Sequence, residues 1–422
     1  MVALGACAPS WGVLIIGQPV PVDERPACAG GRPVRAPDRF LVFGQPVIGD
    51  EEVAAVADVL RSRWIGLGPR VHAFGERFAA ARGARHAVAL NSCTAALHLS
   101  MLALGLGPGD EVITTAMTFC ASINAIIHTG ATPVLADCDP RTMNIHPEAI
   151  AARISPRTKA LLVVHLCGRP CDMDAIMALA RAHGLRVIED CAHAIETRVG
   201  DVPAGSFGDI GCFSFYATKN MTTGEGGMLV TDDEALAARV RVLSLHGLSK
   251  DAWKRFGDDG YQHYGIVSSG FKYNMTDLQA ALGLVQLAKL PAWAERRAAV
   301  WAAYDDAFAG LPCDLPPPPA SGTVHARHLY TPLLRLEALS CTRDDVLDAL
   351  TAEGIGVGVH YLAVPSYGYY RDTYGWLPDA FPNARDIGER TVSLPLSPGL
   401  DGADVMDVIR AFTRVLRHFA RD

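Results

Sequence analysis

From Gly49 onward the hydrophobic positions follow two alternating rhythms. Helical spacing puts Val53, Val56, Val59 and Leu60 on one stripe of a segment from Glu51 to Ser62, and Val71 to Ala81 is a second such stretch. The apolar run Ala87 to Leu90 then has the length of a strand. After it the pattern predicts helix Thr94 to Leu104, strand Glu111 to Thr114, helix Ser122 to His128, strand Thr132 to Ala136 and helix Pro147 to Arg153. Strand Ala160 to His165, helix Asp174 to His183 and strand Arg186 to Glu189 continue it, and a β-rich stretch runs from Asp209 to Val230. Alternation of this kind predicts an α/β fold with a mainly parallel central sheet flanked by helices on both faces.

Helical spacing returns at Asp277 to Leu287 and from Trp293 to Phe308, and prolines at 316 to 319 punctuate the chain. Beyond them a strand His328 to Leu334, a helix Thr342 to Glu353, a strand Gly356 to Tyr361 and a final helix from Gly402 suggest a smaller C-terminal α/β domain. The expected organisation is an N-terminal arm or disordered leader over 1–38, a large domain over 39–288 and a small domain over 289–422. A length of 422 residues suits two such cores. No internal repeat is visible.

Composition narrows the function. Half the residues are hydrophobic and the net charge is −7, which describes a globular chain without the basic footprint of a nucleic-acid binder. No apolar run reaches the roughly 18 residues of a membrane span. The eleven cysteines are scattered and form no C-x-x-C pair, so reduced thiols and a cytoplasmic location are expected, with no metal site. Leu4-Gly5-Ala6-Cys7 has the look of a lipoprotein cleavage box, yet neither basic residues nor an apolar segment precede it. Small molecules are the expected partners.

Ligands of open α/β sheets collect beyond the carboxyl ends of the strands, and three such places carry reactive residues. At Asn91-Ser92-Cys93-Thr94-Ala95-Ala96 a strand passes into a helix, whose free N–H groups and dipole suit a phosphate, with the Ser92 and Thr94 hydroxyls as further donors. The same sequence also serves as an ordinary helix cap. Val187-Ile188-Glu189-Asp190-Cys191-Ala192-His193 delivers two acids to a strand end, where a carboxylate can keep a pyridinium nitrogen protonated. Gly211 to Asn220 brings Lys219 to the end of an apolar strand, where burial favours the amine that condenses with aldehydes. Gly224, Gly226 and Gly227 then allow tight backbone paths. Neither G-x-G-x-x-G nor G-x-x-x-x-G-K-[ST] occurs, which removes the dinucleotide and P-loop readings. A phosphate cradle, a strand-end acid and a lysine are the handles that pyridoxal phosphate (PLP) requires.

Asn91 to His98, Gly107-Pro108-Gly109-Asp110-Glu111-Val112, Ile188 to Ala194 and Phe213 to Gly227 together resemble the DegT-type (DegT/StrS) sugar aminotransferases, fold type I PLP enzymes. The resemblance runs from about Arg39 to the C-terminus. It implies that Lys219 is the Schiff-base lysine, Asp190 the pyridinium partner, Phe119 the ring stacked on the cofactor and His193 its neighbour. Cys93, Thr94 and Ser214 would hold the phosphate, and a neighbouring subunit of a homodimer would complete that site. The segment that does so in the family reads Gly270-Phe271-Lys272-Tyr273-Asn274 here, with Lys272 at the usual Asn position and Asn274 at the usual Arg position. Either could reach the phosphate, and a subset of the family resembling the 4-amino-4-deoxy-arabinose aminotransferases shares Lys and Asn at these positions.

The implied reaction takes an amino group from glutamate and places it on a nucleotide-linked keto-sugar. His246 to Arg255 resembles the loop of 4-amino-sugar-forming members, so Lys250, Lys254 and Arg255 would face a diphosphate, and His328 and His360 the sugar. The alternatives are a keto-cyclitol or another antibiotic precursor as acceptor, or a PLP-binding protein without turnover. Members that act as sugar dehydratases carry histidine in place of the lysine, and Lys219 argues against that variant.

Overall fold

A computed structural model describes residues 25–249 and 265–421. Helices α1 (Asp50–Ser62) and α2 (Pro69–Arg82) precede β1 (His86–Leu90), after which strands and helices alternate. The series is α3 (Cys93–Ala103), β2 (Glu111–Thr115), α4 (Cys120–Ile127), β3 (Thr132–Ala136), α5 (Pro147–Ala151), β4 (Thr158–Val164), α6 (Met173–His183) and β5 (Arg186–Asp190). Two short strands, β6 (Arg198–Val199) and β7 (Val202–Pro203), lead to β8 (Ile210–Ser214), β9 (Gly227–Thr231) and α7 (Glu234–Ser244). Seven of these strands form one sheet in the order β1-β9-β8-β5-β4-β2-β3. The pairs β2–β3, β2–β4, β4–β5 and β5–β8 are parallel, and β9 runs antiparallel to both of its neighbours. The expected α/β fold with a mainly parallel sheet is what forms.

Both faces of this sheet are covered, which explains the uninterrupted apolar strands. Successive side chains point to opposite faces, so Leu161 and Val163 pack with Ile176 of α6, while Leu162 and Ile188 pack with Leu97 and Leu99 of α3. All are fully buried or nearly so, and truncating one such leucine to alanine costs about 2–5 kcal/mol. Because β2, β4, β5 and β8 are parallel, their carboxyl ends share one edge. Asp190 and Ser214 are delivered there as the last residues of β5 and β8.

The expected β-rich stretch from Asp209 to Val230 is two strands, β8 and β9, separated by the loop that carries Lys219. The two helices expected at Asp277 to Leu287 and Trp293 to Phe308 are a single one, α8 (Asp277–Phe308), with Pro291 inside it. Proline removes one helical hydrogen bond, and tertiary burial at both ends offsets that loss. Ala280 and Leu290 pack in the core beside α2, and Val300, Trp301, Tyr304 and Phe308 pack in the core of the C-terminal part. The expected boundary between 288 and 289 therefore falls within one helix.

The C-terminal part is more helical than its sequence pattern suggests. Of the strand expected at His328 to Leu334 only β12 (Leu333–Leu334) forms, antiparallel to β10 (Cys313–Asp314), and β11 (Thr323–Val324) pairs with β6. Gly356 to Tyr361 makes no strand: its backbone bonds go to two different partners, Gly356 N–H to the Leu41 carbonyl and Gly358 to Ser393 in both directions. Helices α9 (Arg343–Ala352), α10 (Gly368–Tyr374), α11 (Pro382–Arg390) and α12 (Gly402–Phe419) complete the part. Residues 25–38, expected to belong to a leader outside the fold, are held against it. The fully buried Glu353 carboxylate accepts from the N–H groups of Ala27 and Val34 at 2.8 and 2.9 Å and pairs with Arg414, and Arg35 pairs with Asp404 and Asp407.

Candidate active site

The edge formed by the strand ends opens into a cleft of about 470 Å³. Cys93, Thr94, Phe119, Asp190, His193, Ser214, Lys219 and His360 all line it, so eight positions singled out in the sequence meet in one place.

Asp190 is held by donors on both oxygens. Its Oδ1 accepts from the Ala192 N–H at 3.0 Å and its Oδ2 from the Ser122 hydroxyl at 2.9 Å. Since the single Ser122 proton goes to Asp190, the Thr118 hydroxyl 2.9 Å away donates to Ser122. Burial raises the Asp190 pKa, and these two donors, with Lys219, work against that shift. A proton held on a pyridinium opposite would favour the carboxylate further.

Lys219 follows β8 by five residues, and the Lys219 N–H donates to the Tyr216 carbonyl. Burial lowers its ammonium pKa to about 8, although Asp190 pulls in the opposite direction. About a tenth is then amine at pH 7, far more than an exposed lysine offers, and the amine is the form that attacks aldehydes and accepts protons.

The start of α3 forms the other end of the cleft. Ser92 is its N-cap, its hydroxyl accepting from the Ala95 N–H at 3.1 Å, so the cap and the cradle readings of this segment coexist. Gly227 abuts this turn so closely that a Cβ there would lie 2.3 Å from the Ser92 carbonyl. Only glycine fits, and β9 thereby presses the helix N-terminus into the cleft beside Ser214. Cys93 is buried with its sulfur 4.0 Å from Asp190, and burial raises its thiol pKa strongly.

His193 accepts from the Cys167 N–H on Nδ1 at 3.2 Å, and its Nε2 lies 3.2 Å from the Tyr361 hydroxyl. Tyr361 also lines the cleft, with its ring 5.7 Å from that of Phe119. His328 is not on the cleft wall. It lies behind, its ring 4.4 Å from that of His193 and its Nδ1 donating to Asn220 Oδ1 at 2.9 Å. The Asn220 amide donates in turn to Glu196 and to the Ala326 carbonyl, and Glu196 pairs with Arg297. His360 bonds Ser393 across 2.8 Å, and burial with Lys219 nearby lowers its pKa to about 4.

Two of the other expected residues lie elsewhere. Lys272 donates to Asn274 at 2.7 Å on an exposed stretch, and neither lines this cleft. Lys250, Lys254 and Arg255 fall outside the described residues. Among the described residues His165, Glu189 and Cys191 also cluster, with ligand atoms within 4.8 Å of one another. Their donors and acceptors are engaged internally: His165 Nδ1 accepts from the Cys171 N–H, and Glu189 accepts from His165 and from the N–H groups of Gly205, Phe207 and Gly208. This cluster braces the start of β8 against β5.

A lysine amine, a buried carboxylate and a helix N-terminus around one cleft form the arrangement of a PLP enzyme, and comparison with known proteins decides which kind. The profile of the DegT/DnrJ/EryC1/StrS aminotransferase family matches residues 46–413. The chain belongs to this family. It is similar to the spore coat polysaccharide biosynthesis protein SpsC of Bacillus subtilis, with 48% identity over 91% of this chain and 99% of that protein. Among solved structures it is similar to the PLP form of the putative sugar aminotransferase Spr1654 of Streptococcus pneumoniae. The TM-score is 0.83 at 33% identity, over 90% of this chain and 99% of that one. DesI, solved in the presence of its TDP-sugar product, gives a TM-score of 0.81 at 34% identity, covering 92% and 95%. The protein is thus a PLP-dependent aminotransferase of the sugar aminotransferase family. The lining of the cleft fits the cofactor: it brings together a helix N-terminus, a carboxylate and a lysine amine, the kinds of group that a phosphate, a pyridinium nitrogen and an aldehyde require.

Proposed function

We propose that the enzyme transfers an amino group from glutamate to carbon 4 of a nucleotide-linked 4-keto sugar, giving an amino sugar. The observation that carries the assignment of roles is that the Lys219 amine, with a pKa near 8, and the doubly anchored Asp190 carboxylate line one cleft. Similarity to DesI, solved in the presence of its TDP-sugar product, supports the substrate class.

PLP, when bound, supplies a protonated ring that withdraws the electron pair left behind when a proton leaves the carbon bearing the amine. The residues of the chain do the rest. Lys219 would hold the cofactor, and its amine would serve as the base that takes and returns the proton of the carbon bearing the amino group. Asp190 keeps the ring nitrogen protonated, its own geometry fixed by Ala192 and Ser122. The start of α3 at Cys93 and Thr94, with Ser214, holds the phosphate. Phe119 would stack on the ring and His193 would lie beside it, both lining the cleft. In a homodimer, Lys272 and Asn274 of each chain serve the site of the other. Lys250, Lys254 and Arg255 face the diphosphate and His360 the sugar end, while His328, expected there too, acts only through the His193 ring it packs against.

The test offers the amine form of the enzyme a panel of UDP- and dTDP-linked 4-keto sugars, 3-keto sugars and keto-cyclitols, following the return of the PLP absorbance. Rapid return with a 4-keto nucleotide sugar is expected. Return with a cyclitol or a 3-keto sugar, and with no 4-keto nucleotide sugar, would replace this reading by one of those acceptors.

A further inference from the structure

Asp190 meets donors from three parts of the fold. The Ala192 N–H comes from the turn after β5, the Ser122 hydroxyl from the first turn of α4 and the Cys93 thiol from the start of α3, at 3.0, 2.9 and 4.0 Å. A carboxylate offers about four acceptor directions, so one remains for a donor in the cleft that Asp190 lines. A serine inside a helix commonly turns its hydroxyl to a carbonyl of the preceding turn, but Ser122 reaches Asp190, 68 residues along the chain. Thr118, in the loop after β2, stands 2.9 Å behind it and donates to it, since the Ser122 proton is already committed. All three side chains are buried, where such bonds are electrostatically stronger than in water.

The direction of these bonds bears on where a shared proton sits. Burial by itself makes Asp190 a stronger base and raises its pKa. A ring nitrogen opposite would then compete with the carboxylate for one proton, and a proton moved onto Asp190 would leave the ring neutral and a poorer electron sink. Ser122 and Ala192 counter this, as do the charges of Lys219 and His165. Cys93 adds no charge, because burial raises its thiol pKa strongly. The Ser122 hydroxyl is itself polarised by Thr118, and a hydroxyl that accepts one bond donates a stronger one. We infer that Thr118 and Ser122 form a positioning pair that draws charge off Asp190 and so keeps the proton it shares with the cofactor on the ring nitrogen. The pair acts through Asp190, and the quantity it governs is the electron demand of the ring.

This rests on Asp190 being the partner of the ring nitrogen, and the experiment tells the two apart. Holoenzyme is prepared with PLP carrying nitrogen-15 in the ring, whose chemical shift reports protonation without turnover, and free PLP in acid and in alkali gives the two limits. The wild type should lie near the protonated limit. Ser122→Ala should move the proton's distribution toward Asp190 by about tenfold or more, the effect of one hydrogen bond to a charged group. Thr118→Val leaves that bond in place but weaker, and should move the signal the same way by less. Ser122→Thr restores the hydroxyl and should restore the wild-type shift. Melting curves identify a variant that does not fold, and if that is Ser122→Ala, Thr118→Val decides. A wild-type signal in folded Ser122→Ala or Thr118→Val overturns the inference. A signal in Ser122→Thr displaced as far as in Ser122→Ala overturns it also, since packing and not the hydroxyl would then be responsible. Asp190→Asn tests the underlying assignment: its signal should move to the unprotonated limit, and a wild-type signal there would remove Asp190 as the partner, and the pair with it.

Discussion

The backbone N–H of Cys167 donates to Nδ1 of His193 across 3.2 Å. A backbone amide only donates, so that nitrogen carries its lone pair, and the remaining proton of a neutral ring sits on Nε2, donating to the Tyr361 hydroxyl. Burial, with Lys219, His328 and His360 nearby, lowers the His193 pKa well below its ordinary value. Burial likewise lowers those of His325, His328 and His360. The unfolded chain therefore binds protons near pH 6.5 that the folded chain refuses. Stability from these groups is full above that pH and is lost as the pH falls toward the folded values, at up to about 1.4 kcal/mol per unit for each histidine. For His165 burial alone would lower the pKa, but its contacts with Cys171, Cys191 and Glu189 raise it, which offsets one of the four. The melting temperature should fall from pH 7.5 to pH 5, with the nitrogen-15 shifts of His193 keeping one neutral tautomer throughout. A melting temperature that rises toward acid would contradict this.

For Lys219 the sign runs through reactivity. With the amine pKa at about 8, capture of PLP by the cofactor-free chain should quicken as the pH rises from 6 and level off above about 8. Lys219→Ala should abolish the visible absorbance retained after free cofactor is removed, with the melting temperature little changed. Asp190→Asn should retain the absorbance but lose about 10²-fold or more in turnover, a typical contribution for a group that governs proton transfer. Retained colour in Lys219→Ala would sink the assignment.

How much of this was legible beforehand depends on the range of the interactions. Strands buried on both faces announce themselves as apolar runs such as Leu161-Leu162-Val163, and an acid or lysine at the end of such a run is local information, so Asp190 and Lys219 could be singled out. Phe119, His193 and Ser214 followed from family resemblance and came to the same cleft. Tyr361, Ser122 and Asn220 could not be found this way. They act on His193, Asp190 and His328 across 168, 68 and 108 residues of chain, and no spacing rule connects such positions. The signal that misled was Pro291, an ordinary helix breaker, because the stability of α8 is supplied by two separate cores. Likewise Gly356 to Tyr361 has strand-like alternation but lacks a continuous partner.

Lys272 and Asn274 bond each other away from the cleft of their own chain, and the proposed homodimer gives them a task in the other one. The consequence can be tested by complementation. Lys219→Ala and a Lys272→Ala/Asn274→Ala chain should each be inactive or nearly so as pure proteins. Co-expressed in equal amounts, they should form hybrids in half of the dimers, each with one intact site, giving about a quarter of wild-type activity. Activity no higher than the sum of the pure variants would show that each chain builds its site alone.

The N-terminal segment lies outside the family match at 46–413, and beside the Arg35 ion pairs its attachment runs through one buried carboxylate. Glu353 is fully buried and satisfies two backbone N–H groups of the segment, those of Ala27 and Val34, together with the Arg414 guanidinium, itself nearly buried. Because Arg414 Nη2 also donates to the Arg32 carbonyl, segment, α9 end and α12 share one polar junction. Taking away the acid removes the carboxylate partner of a buried cation and the acceptor of two N–H groups, and removing one partner of such a pair typically costs about 3–5 kcal/mol. Glu353→Gln keeps the shape and one acceptor but not the charge, so it should destabilise less than Glu353→Ala, in which everything is lost. Truncation separates the junction from the rest of the N-terminus: removal of residues 1–24 should leave the melting temperature in place, and removal of residues 1–38 should lower it. If the longer truncation melts at the wild-type temperature while Glu353→Ala still falls, the carboxylate serves Arg414 alone and the segment merely follows it.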